Sequence, residues 1–319
     1  MAELVQLGLF GEPVSGEPDR DEEADGEVRA LASRLPPHVR LGTSSWTFPG
    51  WAGICYPKGT TEKALMERGL ALYARHPLFG TVGIDRSYYA PIPEPELARY
   101  ASQLPPGFRC VMKVWSRITT RADPRTGEVF ETYLDPDAFV REVADPVRRA
   151  FGEHLGALVF EFPPHRTAIP SPEAFADQLH AFLGALPGDL PYSVELRTRS
   201  LLSRPYLEVL REHRAAHVLN LWEAMPDLGE QLALPGVLPA DFVVARLMLR
   251  PGTRYADRKA AMAPFDRIVD ANEEMRADVA ELVRLTGALD KVLYVIVNNK
   301  MEGSSPLTVR ALAERIAEE

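Results

Sequence analysis

Apolar residues return along this chain in two rhythms. From Val39 onward, short runs of strand length alternate with longer stretches in which apolar positions recur every three or four residues. The runs are Val39 to Ser44, Val82 to Asp85, Phe108 to Val114, Ala157 to Phe162, Tyr192 to Leu196, His217 to Leu221, Phe242 to Leu249 and Val292 to Val297. Between them, helical spacing covers Glu62 to Ala74, Glu94 to Gln103, Pro136 to Phe151, Pro172 to Leu186, Pro205 to Glu212, Phe265 to Leu285 and Pro306 to Ile316. The connection Glu223 to Leu238 has the weakest helical spacing. Pro136, Pro172, Pro205 and Pro306 stand at helix starts, where a missing N–H costs nothing.

Eight apolar runs alternating with helices predict an α/β fold, a (β/α)8 TIM-type barrel in one domain over residues 36–319. A doubly wound open sheet is the competing arrangement. Its dinucleotide fingerprint is missing, because Gly42-Thr43-Ser44-Ser45 lacks the second and third glycines.

Ahead of the first strand, Gly11 to Ala30 is acidic and rich in Gly and Pro, so residues 1–35 read as a flexible tail. Inside it, Gln6-Leu7-Gly8-Leu9-Phe10 resembles the Q-L-x-L-F peptide by which bacterial replication and repair proteins dock onto the DNA sliding clamp. In that role the Gln6 amide supplies fixed hydrogen bonds while Leu7, Leu9 and Phe10 fill an apolar pocket. Alternatively, the same apolar side chains fold back as a plug beneath the barrel.

Composition narrows the classes. With 319 residues, 46% hydrophobic and 25% charged, the chain can bury a full core. A net charge of −9 argues against coating nucleic acid by bulk charge and leaves room only for a local basic cleft. Cys55 and Cys110 are too few for a disulfide framework and have no metal-ligand spacing, as expected of plain thiols in a reducing cytosol. No signal peptide and no apolar run of ~18 residues is present, so a cytoplasmic protein with no membrane span is expected.

In a barrel, chemistry belongs at the C-terminal strand ends. Those ends carry Ser44-Ser45-Trp46, Asp85 to Tyr88, Lys113, Glu161, Glu195 with Arg197, Asn220, Arg246 and Asn298-Asn299. Three acids, Asp85, Glu161 and Glu195, face three bases, Lys113, Arg197 and Arg246. Such a balanced set is either an ion network filling the top of the barrel or an acid/base pair held ready for substrate. After the first strand, Trp46 and Trp51 lie on a loop punctuated by Pro49, Gly50 and Gly53, forming either a rigid pocket wall or a clasp to the core. The loops after strands seven and eight offer Arg250, Arg254, Arg258, Lys259 and Lys300, then Gly303, Ser304 and Ser305 before a helix. That combination suits a phosphate, although a solvated basic loop with a helix cap also accounts for it. Of the seven histidines, only His165 follows a strand end and none pairs with another at helical ligand spacing. No cofactor is therefore expected, although three carboxylates leave Mg2+ open.

Five segments in order carry a resemblance: GTSSWTFPGWAGICYP, PPGFRCVMKVWSRIT, LGALVFEFPP, SVELRTRS and YVIVNNKMEGSSP. Through them the chain resembles the YecE-like family, a bacterial domain of unknown function, from Arg40 to Glu318. The resemblance implies a barrel with a polar mouth, related in shape to sugar-phosphate isomerases and abasic-site endonucleases, without an established reaction. Relatives tend to carry Glu at Gly83, Asn at Asp85, His at Thr198, Trp at Leu201 and His-Gly at Met248-Leu249. Either this branch moved its charge to Asp85 and Glu161, or its chemistry is reduced to binding.

The reading that joins these features is an enzyme, a hydrolase or lyase, acting on a phosphate-bearing nucleic-acid or nucleotide derivative. Glu195 or Asp85 is its general base, within a catalytic set completed by Lys113, Glu161 and Arg197. Arg246 with Gly303 and Ser304 seats the phosphate, and Ser45, Trp46, Trp51, Tyr88, Asn298 and Asn299 complete the substrate rim. The alternatives are a non-catalytic module at the clamp and a small-molecule sugar-phosphate enzyme.

Overall fold

The computed structural model describes residues 22–164 and 169–318, so the clamp-like residues Gln6 to Phe10 and His165 lie outside the described part. Its strands are β1 Val39–Thr43, β2 Thr81–Ile84, β3 Cys110–Lys113, β4 Leu155–Phe162, β5 Tyr192–Leu196, β6 Ala216–Leu221, β7 Phe242–Leu247 and β8 Val292–Val297. They close in sequence order, every neighbouring pair parallel, with β8 returning to β1. This is the (β/α)8 barrel expected from the alternation.

Closure explains the residue pattern. Side chains alternate across each strand, so one set fills the barrel and the other meets the helices. Val111, Ala157, Val159, Val218, Val244 and Ile296 pack together inside, with Tyr294 and Met248. The larger cluster lies between strands and helices. Where β1 meets β2, a side chain at Gly42 would stand 1.9 Å from the Thr81 carbonyl oxygen, so only glycine permits that approach.

Most helices begin where the prolines and caps place them. Ser171 caps Pro172–Ala185 through the Ala174 amide, and Ser203 caps Arg204–Glu212 through the Tyr206 amide. In the sixth connection only Leu228–Leu232 is helical.

Two expectations need correction. The stretch 265–272 is not helical. The Val269 and Asp270 amides donate to the Glu302 carbonyl, and the Asn272 amide donates to the Glu302 carboxylate at 2.6 Å. Those bonds tie the segment to the loop after β8, and helix Glu273–Ala288 starts only at its Asn272 cap. The second correction concerns the tail, since Glu22–Ser33 is a helix that overlaps the stretch read as linker. Leu31 is buried, with Val28, Ala32 and Leu35 beside it, and the helix packs on Ser305–Ala317. Apolar spacing at 28, 31, 32 and 35 outweighs the acidic composition that had masked it. Among the described residues no helix is long and apolar enough to cross a membrane.

Candidate functional site

The strand ends bring the six expected charges into one closed circuit. Lys113 Nζ lies 2.5 Å from Glu161 and 3.7 Å from Asp85. Arg197 Nη2 reaches Glu161 at 2.8 Å and Glu195 at 3.0 Å. Arg246 grips both oxygens of Asp85, at 2.9 to 3.0 Å, and its Nε lies 3.0 Å from Glu195. The order is therefore Asp85, Lys113, Glu161, Arg197, Glu195, Arg246 and back to Asp85, with signs alternating throughout.

Register explains why the circuit is needed. Glu161 and Glu195 are direct partners on β4 and β5, so two like charges stand side by side on the inner face. Arg197, two residues beyond Glu195, contacts both. Asn220, opposite Arg246 across β6 and β7, donates to Glu195 at 3.3 Å. The contact between Arg246 Nε and Glu195 Oε2 is an ion pair without hydrogen-bond alignment, and both atoms are buried with no other bond. Removing either partner would strand a charge.

Electrostatics and burial oppose each other here. Burial would raise the Glu195 carboxyl, but Arg246, then Arg197 and Lys113, outweigh it and hold it below its ordinary value. Asp85 is likewise pushed up by burial and pulled further down by Arg246 and Lys113. For Arg197, burial disfavours the cation, and Glu161 and Glu195 more than restore it. The two candidate bases differ in access. Glu195 is wholly enclosed, whereas 28% of the Asp85 side chain is exposed, so an incoming ligand meets Asp85 first.

Aromatic rings brace the cations. Trp222 lies 3.7 Å from the Arg197 guanidinium, and Tyr88 lies 4.9 Å from Lys113. Gly83 lies close to its neighbours, so a larger side chain there would require them to shift by a few tenths of an ångström. A Cβ there would lie 3.1 Å from Ser44 Cα and 3.2 Å from Ile296.

The circuit draws on β2 to β5 and β7, and the remaining arc of the mouth holds a cavity of about 270 Å3. Ser44, Ser45, Thr47, Phe48, Trp51, Lys259, Phe265, Asn298, Asn299, Lys300 and Ser305 line it. Two lysines, hydroxyls, amides and three aromatic rings therefore face it, and no carboxylate does. Asn298 holds the rim together by donating to Ser44 Oγ at 2.8 Å. Thr47 and Phe48 are additions that no sequence rhythm marked, because loop positions have no period, and Phe265, whose spacing reads as the start of a helix, is a third.

Several sequence expectations shift in detail. Trp46 does not line the cavity; it is buried edge-on against Tyr100, with a Gly69 Cβ position 3.2 Å from its ring, and so belongs to the core. Trp51 does face the cavity, and its indole donates to Asn299 Oδ1 at 3.1 Å. That same oxygen accepts from the Ser305 amide and hydroxyl, each at 2.8 Å. Asn299 thus occupies the first turn of Ser305–Ala317, the place expected for phosphate. Gly303 and Ser304 sit beneath the rim, and the Gly303 Cβ position is blocked by the Arg267 carbonyl at 2.3 Å. The cations at the cavity are the exposed Lys259 and the half-buried Lys300.

The family model described as a protein of unknown function, DUF72, matches residues 40–319. A DUF72 family protein from Enterococcus faecalis V583 superposes with a TM-score of 0.60 at 19% identity, covering 88% of this chain and 96% of that one. One from Thermotoga maritima MSB8 gives 0.60 at 18% identity, covering 88% and 99%. At such identities the likeness speaks for the fold. No curated protein matches the chain.

Proposed function

The chain belongs to the DUF72 family, and from that premise we propose that its barrel mouth is the active site of an enzyme acting on a phosphate-bearing substrate, a nucleotide or other nucleic-acid derivative. The observation that carries this reading is the cavity lining: two lysines, several neutral donors, an aromatic wall and no acid. A phosphate gains from Lys259 and Lys300 and loses nothing to repulsion, while Phe48, Trp51 and Phe265 offer faces to a ring. About 270 Å3 suits a small phosphate ester or one extruded nucleotide rather than a duplex. Asp85, ionised and partly exposed, is the proton acceptor, and Lys113 and Arg246 beside it offset developing negative charge. Gln6 to Phe10 give the reading its direction toward DNA, as a tether to the sliding clamp.

A second reading, a catalytically silent binding module, draws on the pairing of every charge in the circuit. One experiment separates the two. Lys259→Ala and Lys300→Ala are each expected to weaken binding of nucleoside monophosphates about tenfold, with affinity falling as salt rises. Asp85→Asn should reduce turnover of a phosphate-ester substrate by about 100-fold while retaining binding. Affinity indifferent to both lysines would refute the phosphate site, and undiminished turnover in Asp85→Asn would refute the assignment of the base.

A further inference from the structure

On the outer helical layer, away from the strand ends, Pro172–Ala185 packs beside Arg204–Glu212. The contact brings together three side chains that the barrel mouth does not use. His213 Nε2 lies 3.0 Å from His180 Nδ1, and Glu212 Oε2 lies 3.6 Å from that same nitrogen. All three donor atoms fall within 4.8 Å of one another, and among the described residues this is the one such group of histidine, cysteine or acidic side chains.

We propose that His180, Glu212 and His213 form a binding site for a divalent transition-metal cation, with Zn2+ as its natural probe, which staples the two helices together. The donor set selects the ion. Two imidazoles and one carboxylate suit zinc, whereas Mg2+ and Ca2+ favour oxygen ligands alone. The spacing fits as well: zinc bonds of about 2.0 to 2.1 Å put tetrahedral ligand atoms roughly 3.3 Å apart. Two of the three separations, 3.0 and 3.6 Å, lie on either side of that value, and the third, within 4.8 Å, is closed by a turn of the exposed Glu212 side chain.

Local backbone holds the ligands in place. His213 closes its helix by donating its amide to the Val209 carbonyl, and Arg214 then turns left-handed at φ 54. The Ala215 amide returns to the Leu210 carbonyl at 2.9 Å, which fixes the turn that presents His213. Across the contact, a Cβ at Gly184 would lie 3.3 Å from His213 Cε1, so glycine leaves the ring its space. In the metal-free state one imidazole nitrogen donates to the other. On binding, the donating ring moves its proton to its other nitrogen, and both rings turn so that the two facing lone pairs converge on the metal. No proton leaves in that step, and the remaining coordination positions stay open to water.

The test uses the full chain without a polyhistidine tag, stripped with EDTA and titrated with ZnCl2 in a calorimeter. One saturable site is expected, with affinity reduced at least tenfold in His213→Ala and in His180→Gln. The second variant keeps a hydrogen-bond partner for His213 while removing the imidazole, so it guards against loss of packing. At one hundred times Kd, zinc should raise Tm by roughly 5 °C in the native chain and not in either variant, whose Tm in EDTA should equal that of the parent. MgCl2 should produce no shift. Absence of saturable zinc binding would overturn the site, as would affinity in both variants equal to that of the parent.

Discussion

Glu195 occupies the most constrained position at the mouth. It has no solvent exposure, and Arg197 and Arg246 both lean on it. Glu195→Gln preserves volume and removes the charge, leaving two buried guanidiniums to share what remains. The expected loss is about 3 to 5 kcal/mol in chemical denaturation, and a loss below about 1 kcal/mol would show that the pairing does not seat it. At this scale the six charges were legible in the sequence. A charged side chain at the end of an apolar run has few destinations other than the mouth. Trp46 and Trp51 show where legibility stops. Five residues apart on one loop, they face opposite ways, one against Tyr100 and the other toward Asn299. Nothing in loop composition distinguishes core from rim.

Helices and strands were legible wherever period and punctuation agreed. Strand ends matched within two residues, because continuous apolar runs bounded by Gly, Pro and charge admit little else. The segment 265–272 was misread because its apolar residues share helical spacing, while its backbone is tied to Glu302 far along the chain. Helix Glu22–Ser33 departs for the opposite reason, since its acidic composition conceals a stripe of three apolar side chains, Val28, Leu31 and Ala32, that Leu35 extends beyond its end. Leu31→Ala should cost about 2 kcal/mol in denaturation, because the side chain is buried against Ser305–Ala317. Deleting Met1–Phe10 should leave Tm unchanged and abolish capture by the sliding clamp. Capture by the shortened chain would remove recruitment from the proposed function.

For the molecule as a whole, stability should depend on acidity in two stages. His217 is buried, and burial lowers its pKa to about 4. The unfolded chain takes up that proton near pH 6.5 and the folded chain does not, so stability falls between about pH 6.5 and 4 by roughly 3 kcal/mol. Asp85 and Glu195 are held below their ordinary values, so their contribution is complete above the usual carboxylate range and is lost as pH drops through it. A denaturation midpoint that is flat from pH 7 to 4 would contradict the His217 assignment, and one that is flat or rises on further acidification would contradict that of the two carboxylates. Whole-molecule relations were the least legible. His180 and His213 are 33 residues apart, and only the packing of two outer helices makes them neighbours.

The circuit of charges at the mouth has a topological consequence. A closed loop of alternating signs has no ends, so deleting one member opens it into a string of five whose two ends carry the same sign. Deleting an adjacent pair leaves a neutral string of four with opposite ends. Two neutral substitutions at Glu195 and Arg197 should therefore be tolerated better together than the sum of each alone, by about 1 to 3 kcal/mol in a double-mutant cycle. The same parity governs any ligand that pulls one partner aside. A ligand that drew Arg246 aside would leave a string of five with the acids Asp85 and Glu195 at its ends, Asp85 keeping Lys113 and Glu195 keeping Arg197.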